Sequence, residues 1–390
     1  MSNVRNQLAP VAPWLFAGVF CLFCLAFYLP LSSKATNNVF YVGLALPTFI
    51  WLLARPRALM SLWRPFAWLF VLLSLMVTLD ASDVAGLKKA LYLLLFFASC
   101  VLLEGGRPGV QQVFSWFALA SVGILLWVAV DWLWIWLHGE RWVRYVYLLG
   151  VNINPVYVSL LITSALVFLW LFHVSDRLER HSRAALVFGL LVLAGLVVLC
   201  SSIFQARSAL LGFGLFFTAY CVTKRMLVLG LALLVLLAGL LFFLGGAELL
   251  LNRGLSHRTD IWQDAWQRLT TQCNVWLGCG ADDYLFLGKW QHPHSGYFSM
   301  LYRNGVLGAL LFALFAAVFF WQGIRARSRW MLLALVGWGS LLTTTNGVLT
   351  SPQPLWVYFW LPTFMAIIEG QQAALQAYYA ARRQVPHGAS

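Results

Sequence analysis

The chain has 390 residues, 62% of them hydrophobic and only 10% charged, with a formal net charge of +13. Soluble domains carry roughly 45–50% apolar and about 25% charged residues, so a water-soluble fold is excluded. Nucleic-acid binding is set aside with it, because the basic residues are dispersed over short connections and form no continuous soluble surface.

Apolar runs long enough to cross a roughly 30 Å hydrocarbon layer as helices recur along the chain, and they lack the alternation of barrel strands. In chain order they predict about twelve spans, at 14–32, 39–54, 65–80, 87–103, 112–136, 151–172, 185–202, 207–223, 226–245, 298–322, 329–346 and 354–370. The fold expected is an all-α integral membrane protein. Residues 1–245 carry the first nine spans, 246–297 form a long outer segment, 298–372 carry the last three, and 373–390 form a cytoplasmic tail. The first run follows Met-Ser-Asn-Val-Arg and is longer than the apolar region of a signal peptide, so it is expected to be retained as a helix.

Cytoplasmic connections collect Lys and Arg. Placing Arg5 and the N-terminus in the cytoplasm puts Arg55, Arg57, Arg64, Arg107, Arg177, Arg180, Arg183, Lys224, Arg225, Arg325, Arg327, Arg329, Arg382, Arg383 and the C-terminus on the same side. The eleven other basic residues fall outside: Lys34, Lys88, Lys89, Arg141, Arg144, Arg207, Arg253, Arg258, Arg268, Lys289 and Arg303. Orientation and membrane lipids with anionic headgroups account for the inner set. The outer set works against insertion, and an anionic ligand on that face would give a reason to keep it. For Arg141, Arg144 and Arg253, snorkelling to headgroups is reason enough.

The outer segment, about fifty residues between spans nine and ten, is far longer than the other connections, and such segments tend to be functional. Its stretch Ser-His-Arg-Thr-Asp-Ile-Trp-Gln-Asp-Ala-Trp-Gln-Arg-Leu sets Ile261, Trp262, Ala265, Trp266 and Leu269 on one side of a helix and Asp260, Gln263, Asp264, Gln267 and Arg268 on the other. Such an amphipathic helix lies on the membrane surface with its tryptophans at headgroup level, or packs on its own bundle. Five of the seven cysteines, Cys21, Cys24, Cys100, Cys200 and Cys221, fall in or near apolar spans as ordinary buried thiols. Cys273 and Cys279 fall in the outer segment with Gly278 beside them, where an oxidising compartment permits a disulfide and the alternative is two idle thiols.

Metal and nucleotide motifs are missing: there is no glycine-rich phosphate loop, no His-Glu-x-x-His and no Asp-x-Asp pair, and Asp282-Asp283 reads as a solvated loop feature. No cofactor is expected. What remains is a set of polar groups at the outer ends of the spans: Asn152 and Asn154, Arg207, Arg258, and His294 with Tyr297 and Arg303. A guanidinium stays ionised and offers a planar fork to phosphate oxygens. An imidazole is able to take a proton from a hydroxyl near neutral pH. The plainer readings are an arginine snorkelling to headgroups and a histidine hydrogen-bonded into the wall.

His-Pro-His-Ser-Gly-Tyr-Phe-Ser-Met-Leu-Tyr-Arg-Asn-Gly-Val-Leu-Gly, residues 292–308, resembles the signature of the O-antigen ligase and polymerase family: a His, then Tyr-Leu, a short apolar run and Gly-x-x-Gly. Ser-Ser-Ile-Phe-Gln-Ala-Arg-Ser at 201–208 resembles the family's Ser-rich approach to an arginine opening a helix. His-Arg-Thr-Asp-Ile-Trp from 257 and Trp-Leu-Gly-Cys-Gly from 276 resemble its Arg-x-x-x-Trp and Leu-x-Gly-x-Gly pair. The motifs cover residues 200–308, and the first half agrees in hydropathy and in Asn-x-Asn-Pro at 152–155.

The resemblance implies a GT-C-like fold and a metal-independent, inverting membrane glycosyltransferase of the bacterial inner membrane. It acts at the periplasmic face on a glycan carried by undecaprenyl diphosphate. His294 would activate the acceptor hydroxyl and Arg207 and Arg258 would bind the donor diphosphate, with Asn154, Tyr297 and Arg303 as further substrate contacts. His294 is preferred to His292 because its distance to Tyr297 and to Gly305-x-x-Gly308 fits the pattern. The leading expectation is an O-antigen ligase that transfers O-polysaccharide to lipid A-core. A repeat-unit polymerase and a protein oligosaccharyltransferase share the donor chemistry and differ in acceptor. A lipid-linked glycan transporter needs polar groups near mid-membrane, whereas the polar residues here gather at one rim.

Overall fold

The computed structural model describes residues 12–80, 84–139, 143–226, 258–280, 282, 284–288, 291, 293–344 and 347–383, with 228, 230, 232, 235 and 239. Most of expected span nine (226–245), the beginning of the outer segment with Arg253, and Arg5, Arg141, Asp283, Lys289 and His292 lie outside the described residues.

In chain order the helices are α1 (Pro13–Leu25), α2 (Ser33–Ala54), α3 (Pro56–Asp80), α4 (Val84–Gly105), α5 (Val110–Leu137), α6 (Pro155–His181), α7 (Arg183–Phe204), α8 (Arg207–Thr223), α9 (Arg258–Thr271), α10 (Gly296–Ala326), α11 (Arg329–Ser340) and α12 (Leu361–Arg383). A short antiparallel hairpin, β1 (Tyr147–Leu148) with β2 (Val151–Asn152), precedes α6 and pairs Tyr147 with Asn152. By length and composition α2, α5, α6, α7 and α10 are able to cross a membrane, and α1, α8 and Pro65–Met76 of α3 are shorter apolar helices. The chain is a mostly helical, multi-pass membrane protein.

Local chemistry sets the helix ends. Ser32, Ser182, Ser295 and Ser328 each accept a hydrogen bond from a first-turn N–H of the helix they precede, and Asn154 does so ahead of Pro155, satisfying donors that a helix start leaves open. The cap at Ser32 starts α2 six residues before the expected span two. Expected span eleven runs to 346, but α11 stops at Ser340: the Ser340 hydroxyl donates to the Gly337 carbonyl and the Thr344 hydroxyl to the Ser340 carbonyl as the chain turns. The first part of the expected tail, 373–383, is helical. Helix α12 continues to Arg383 because Gln371 to Arg383 are mostly strong helix formers with no Gly or Pro among them.

Within the bundle, aromatic rings interlock around the turn before α12, where Trp356 lies 5.0 Å from Phe40 and 4.9 Å from Phe96. Trp338 on α11 stacks with Phe312 and Phe319 of α10. Buried hydroxyls pair across helices, Tyr28 with Ser121 and Thr48 with Ser99, both at 2.9 Å, as polar groups in hydrocarbon require. Exposed Leu119, Leu126, Trp127 and Val130 give α5 an apolar outer surface suited to lipid.

Helices α8 and α11 cross at backbone contact. A Cβ on Gly212 would stand 2.2 Å from the Val336 carbonyl oxygen, and one on Gly339 would stand 2.9 Å from Gly212 Cα. Small residues permit this approach, and it sets the start of α8 beside the end of α11. The N-termini of α6, α8 and α10 and the C-termini of α7 and α11 share one end of the bundle. Arg177, Arg180, Arg183, Lys224, Arg225, Arg325, Arg327 and Arg329 belong to the other, where Arg329 pairs with Asp176 at 2.6 Å.

Helix α9 packs on the bundle: Ile261, Ala265 and Leu269 are buried in a small second core with Tyr284 and Tyr302. Of the expected apolar face, Trp262 stacks on Phe298 and donates its indole N–H to the Pro293 carbonyl, while Trp266 is exposed.

Candidate functional site

Three chain segments that carry expected site residues meet at the turn following α11. The Thr343 carbonyl accepts from the Arg258 guanidinium at 3.0 Å. The Thr343 hydroxyl donates to the Ser208 hydroxyl at 2.8 Å, next to Arg207 at the start of α8. The Leu341 carbonyl accepts from the Gly296 N–H at 2.7 Å, two residues after His294. Two residues of one turn thus tie down the starts of α8, α9 and α10.

His294 is held from both sides. The preceding Pro293 carbonyl is bound by Trp262 of α9 at 2.8 Å, and the following Ser295 caps α10 through the Phe298 N–H at 3.3 Å. Its own backbone has φ 54°, a left-handed conformation uncommon for residues other than glycine. Such a residue stays there only where its neighbours enforce it. One turn into α10, the Tyr297 hydroxyl donates to the Trp338 carbonyl at 2.7 Å.

Charge couples the three side chains. Burial, and next the adjacent Arg207 guanidinium, press the pKa of Arg258 below the usual arginine value. Burial, and next the charge of Arg258, hold the His294 imidazole below its ordinary 6.5. All three residues are half-buried. Two cations so close repel, and an anion bound between them relieves that repulsion. The helix N-termini of α8 and α10 add partial positive charge at the same place. An imidazole kept neutral in this way has the protonation state of a general base at neutral pH.

The remaining expected residues have other surroundings. Asn154 is exposed and its side-chain oxygen accepts from the Val156 N–H, so it serves as the cap of α6. The Arg303 carbonyl accepts from the Gly280 N–H in a loop that follows α9. Cys273 and Cys279 close that loop as a disulfide, with Cα atoms 5.0 Å apart, while the other five cysteines are free and buried. Asp282 is exposed in the loop and accepts a hydrogen bond from the Tyr302 hydroxyl. Sequence reasoning missed Ser208, Leu341 and Thr343; the signal for the turn is the Thr-Thr-Thr-Asn run at 343–346, which the expected span 329–346 absorbed. Among the described residues, no three His, Cys, Asp or Glu side chains cluster closely enough to hold a metal ion.

No protein-family model matches the chain. The chain is 27% identical to an O-antigen ligase of Pseudomonas aeruginosa over 348 aligned residues, which cover 84% of this chain and 83% of that protein. The likeness to the O-antigen ligase family therefore reaches well beyond the motifs at 200–308 into the first half.

Proposed function

We propose, from the premise that the chain is akin to the O-antigen ligases, that it transfers a completed glycan from undecaprenyl diphosphate to a hydroxyl of lipid A-core, at the periplasmic face of the bacterial inner membrane. The observation that carries this reading is the coupled trio of Arg207, Arg258 and His294 gathered on one turn at one end of the bundle.

The reaction is one inverting displacement. The His294 imidazole accepts the proton of the acceptor hydroxyl as its oxygen bonds to the anomeric carbon of the glycan. The anomeric bond to the diphosphate breaks on the opposite side, and the electron pair leaves with the diphosphate oxygen. Arg207 and Arg258 meet the charge that grows there, and donors fixed before the reaction stabilise such charge most where water is scarce. The imidazolium then returns its proton to solvent. This reading keeps Asn154, Tyr297 and Arg303 as further substrate contacts. The fold is of the GT-C kind.

A smooth Gram-negative strain lacking its own ligase, complemented with this chain, tests the reading. Complementation should restore O-polysaccharide on lipid A-core, and His294→Ala should leave the glycan on its lipid carrier with normal protein abundance. Arg207→Ala and Arg258→Ala should each lower ligation on the order of 10²-fold or more, the usual cost of losing a donor that stabilises developing charge. Ligation that persists in His294→Ala removes the base from the mechanism. Failure of the chain to ligate, with growth of repeat units instead, identifies a polymerase.

A further inference from the structure

Helix α10 is 31 residues long and breaks at Gly305, whose φ and ψ are 63° and −166°. At about 1.5 Å per residue it extends roughly 46 Å, well beyond the ~30 Å of hydrocarbon. Its sequence decides which part is submerged: Val306 to Trp321 carry no polar side chain, Arg303 and Asn304 come just before them, and Arg325 comes shortly after. About twenty residues counted back from Arg325, the number that fills the hydrocarbon, end at Gly305. The break therefore stands at the boundary between acyl chains and headgroups, with His294 above it.

The loop closed by Cys273 and Cys279 is clasped to α10 at this level. The Val306 and Leu307 N–H groups donate to the Val275 and Trp276 carbonyls at 3.0 and 3.2 Å, and the Cys279 and Gly280 N–H groups donate to the Tyr302 and Arg303 carbonyls. A Cβ on Gly305 would meet the Trp276 backbone at 2.4 Å, so the loop enters where the helix has no side chain. The loop also satisfies itself: Trp276 N–H donates to the Asn274 side-chain oxygen, and Leu277 and Gly278 N–H donate to the Asn274 carbonyl. Each N–H from Trp276 to Gly280 is thus bonded within the protein, as a low-dielectric setting demands. Yet the side chains at the tip project outward, Trp276 being 62% and Leu277 50% exposed. The residues between the cysteines, Asn-Val-Trp-Leu-Gly, carry no charge.

We propose that Trp276 and Leu277 are seated in the bilayer, at the headgroup–acyl boundary of the leaflet on the His294 side, with the disulfide loop acting as a lipid-contacting anchor. Tryptophan favours this boundary because its ring is apolar and its N–H is able to reach polar headgroups. Leucine beside it adds buried apolar area. The clasp at Gly305 then fixes the height of the first part of α10, and so of His294, relative to the leaflet. This inference is independent of the transferase reading, since it needs only that the bundle spans a membrane.

The test uses the full chain labelled with 5-fluorotryptophan in phospholipid nanodiscs. The Trp276 resonance is identified as the one lost in Trp276→Phe and, independently, in Trp276→Tyr. A nitroxide placed high on the lipid acyl chain should broaden this resonance severalfold more than a water-soluble gadolinium chelate does. Stronger broadening by the aqueous chelate would mean a water-exposed loop and would overturn the proposal. Broadening by neither agent would place the ring inside the protein and overturn it equally.

Discussion

At the residue scale, the unusual feature is a histidine whose surroundings resist its protonation. Burial removes water that would solvate an imidazolium, and Arg258 repels the same charge. Both act in one direction, so the imidazole stays neutral to a lower pH than a free histidine would. If His294 is the base, kcat/KM for glycan transfer should be flat through neutrality and fall only below pH 6.5, with its midpoint under that ordinary value. Transfer assays on nanodisc-embedded protein across this range, beside a carbon-13 histidine titration assigned by His294→Gln, give the comparison. A midpoint above 6.5 would mean that an acidic neighbour outweighs Arg258, and the arrangement of charges would need to be redrawn. The same residue illustrates what position costs: a left-handed backbone at a non-glycine residue is held by Trp262, Ser295 and Leu341 rather than by its own preference.

At the element scale, the site depends on how closely α8 and α11 approach. Two glycines of α8 separate this contact from general helix propensity. A Cβ on Gly212 would collide with the Val336 carbonyl oxygen at 2.2 Å, and rigid backbone offers it no room. Nothing lies within 4 Å of a Cβ on Gly214. Gly212→Ala should therefore cost about 1–3 kcal/mol, the usual range for overpacking, and lower the melting temperature in detergent by several degrees. Gly214→Ala should be neutral or slightly stabilising. Because the turn that follows α11 carries Thr343, Gly212→Ala should also weaken transfer at temperatures where the protein remains folded. Equal melting temperatures for the two variants would mean that the helices do not meet as closely as the carbonyl contact requires.

For the whole molecule, hydropathy made the fold legible and left the site half-read. The span expected at 207–223 coincides with α8, and the face of Ile261, Ala265 and Leu269 was evident from spacing. The turn at 341–343 was hidden because Thr343 sits at the edge of an apolar run that hydropathy extends to 346. The break at Gly305 is invisible to periodicity, since its cause is a loop more than twenty residues upstream. Orientation is the remaining property that charge alone addresses. Arg177, Arg180, Arg183, Lys224, Arg225, Arg325, Arg327 and Arg329 belong to the end opposite His294. Each basic residue near an anionic cytoplasmic leaflet is worth about 1 kcal/mol, which favours leaving that end inside and the trio of Arg207, Arg258 and His294 in the periplasm. The five free cysteines are buried, and Cys273 and Cys279 are bonded to each other, so new surface thiols report cleanly. In intact spheroplasts a membrane-impermeant maleimide should label Gln267→Cys, on the exposed side of α9, and should reach Arg180→Cys only after permeabilisation. The reverse pattern would put the arginines and the histidine in the cytosol, away from any acceptor displayed on the outer leaflet, and would end the ligase reading whatever the chemistry of the three side chains.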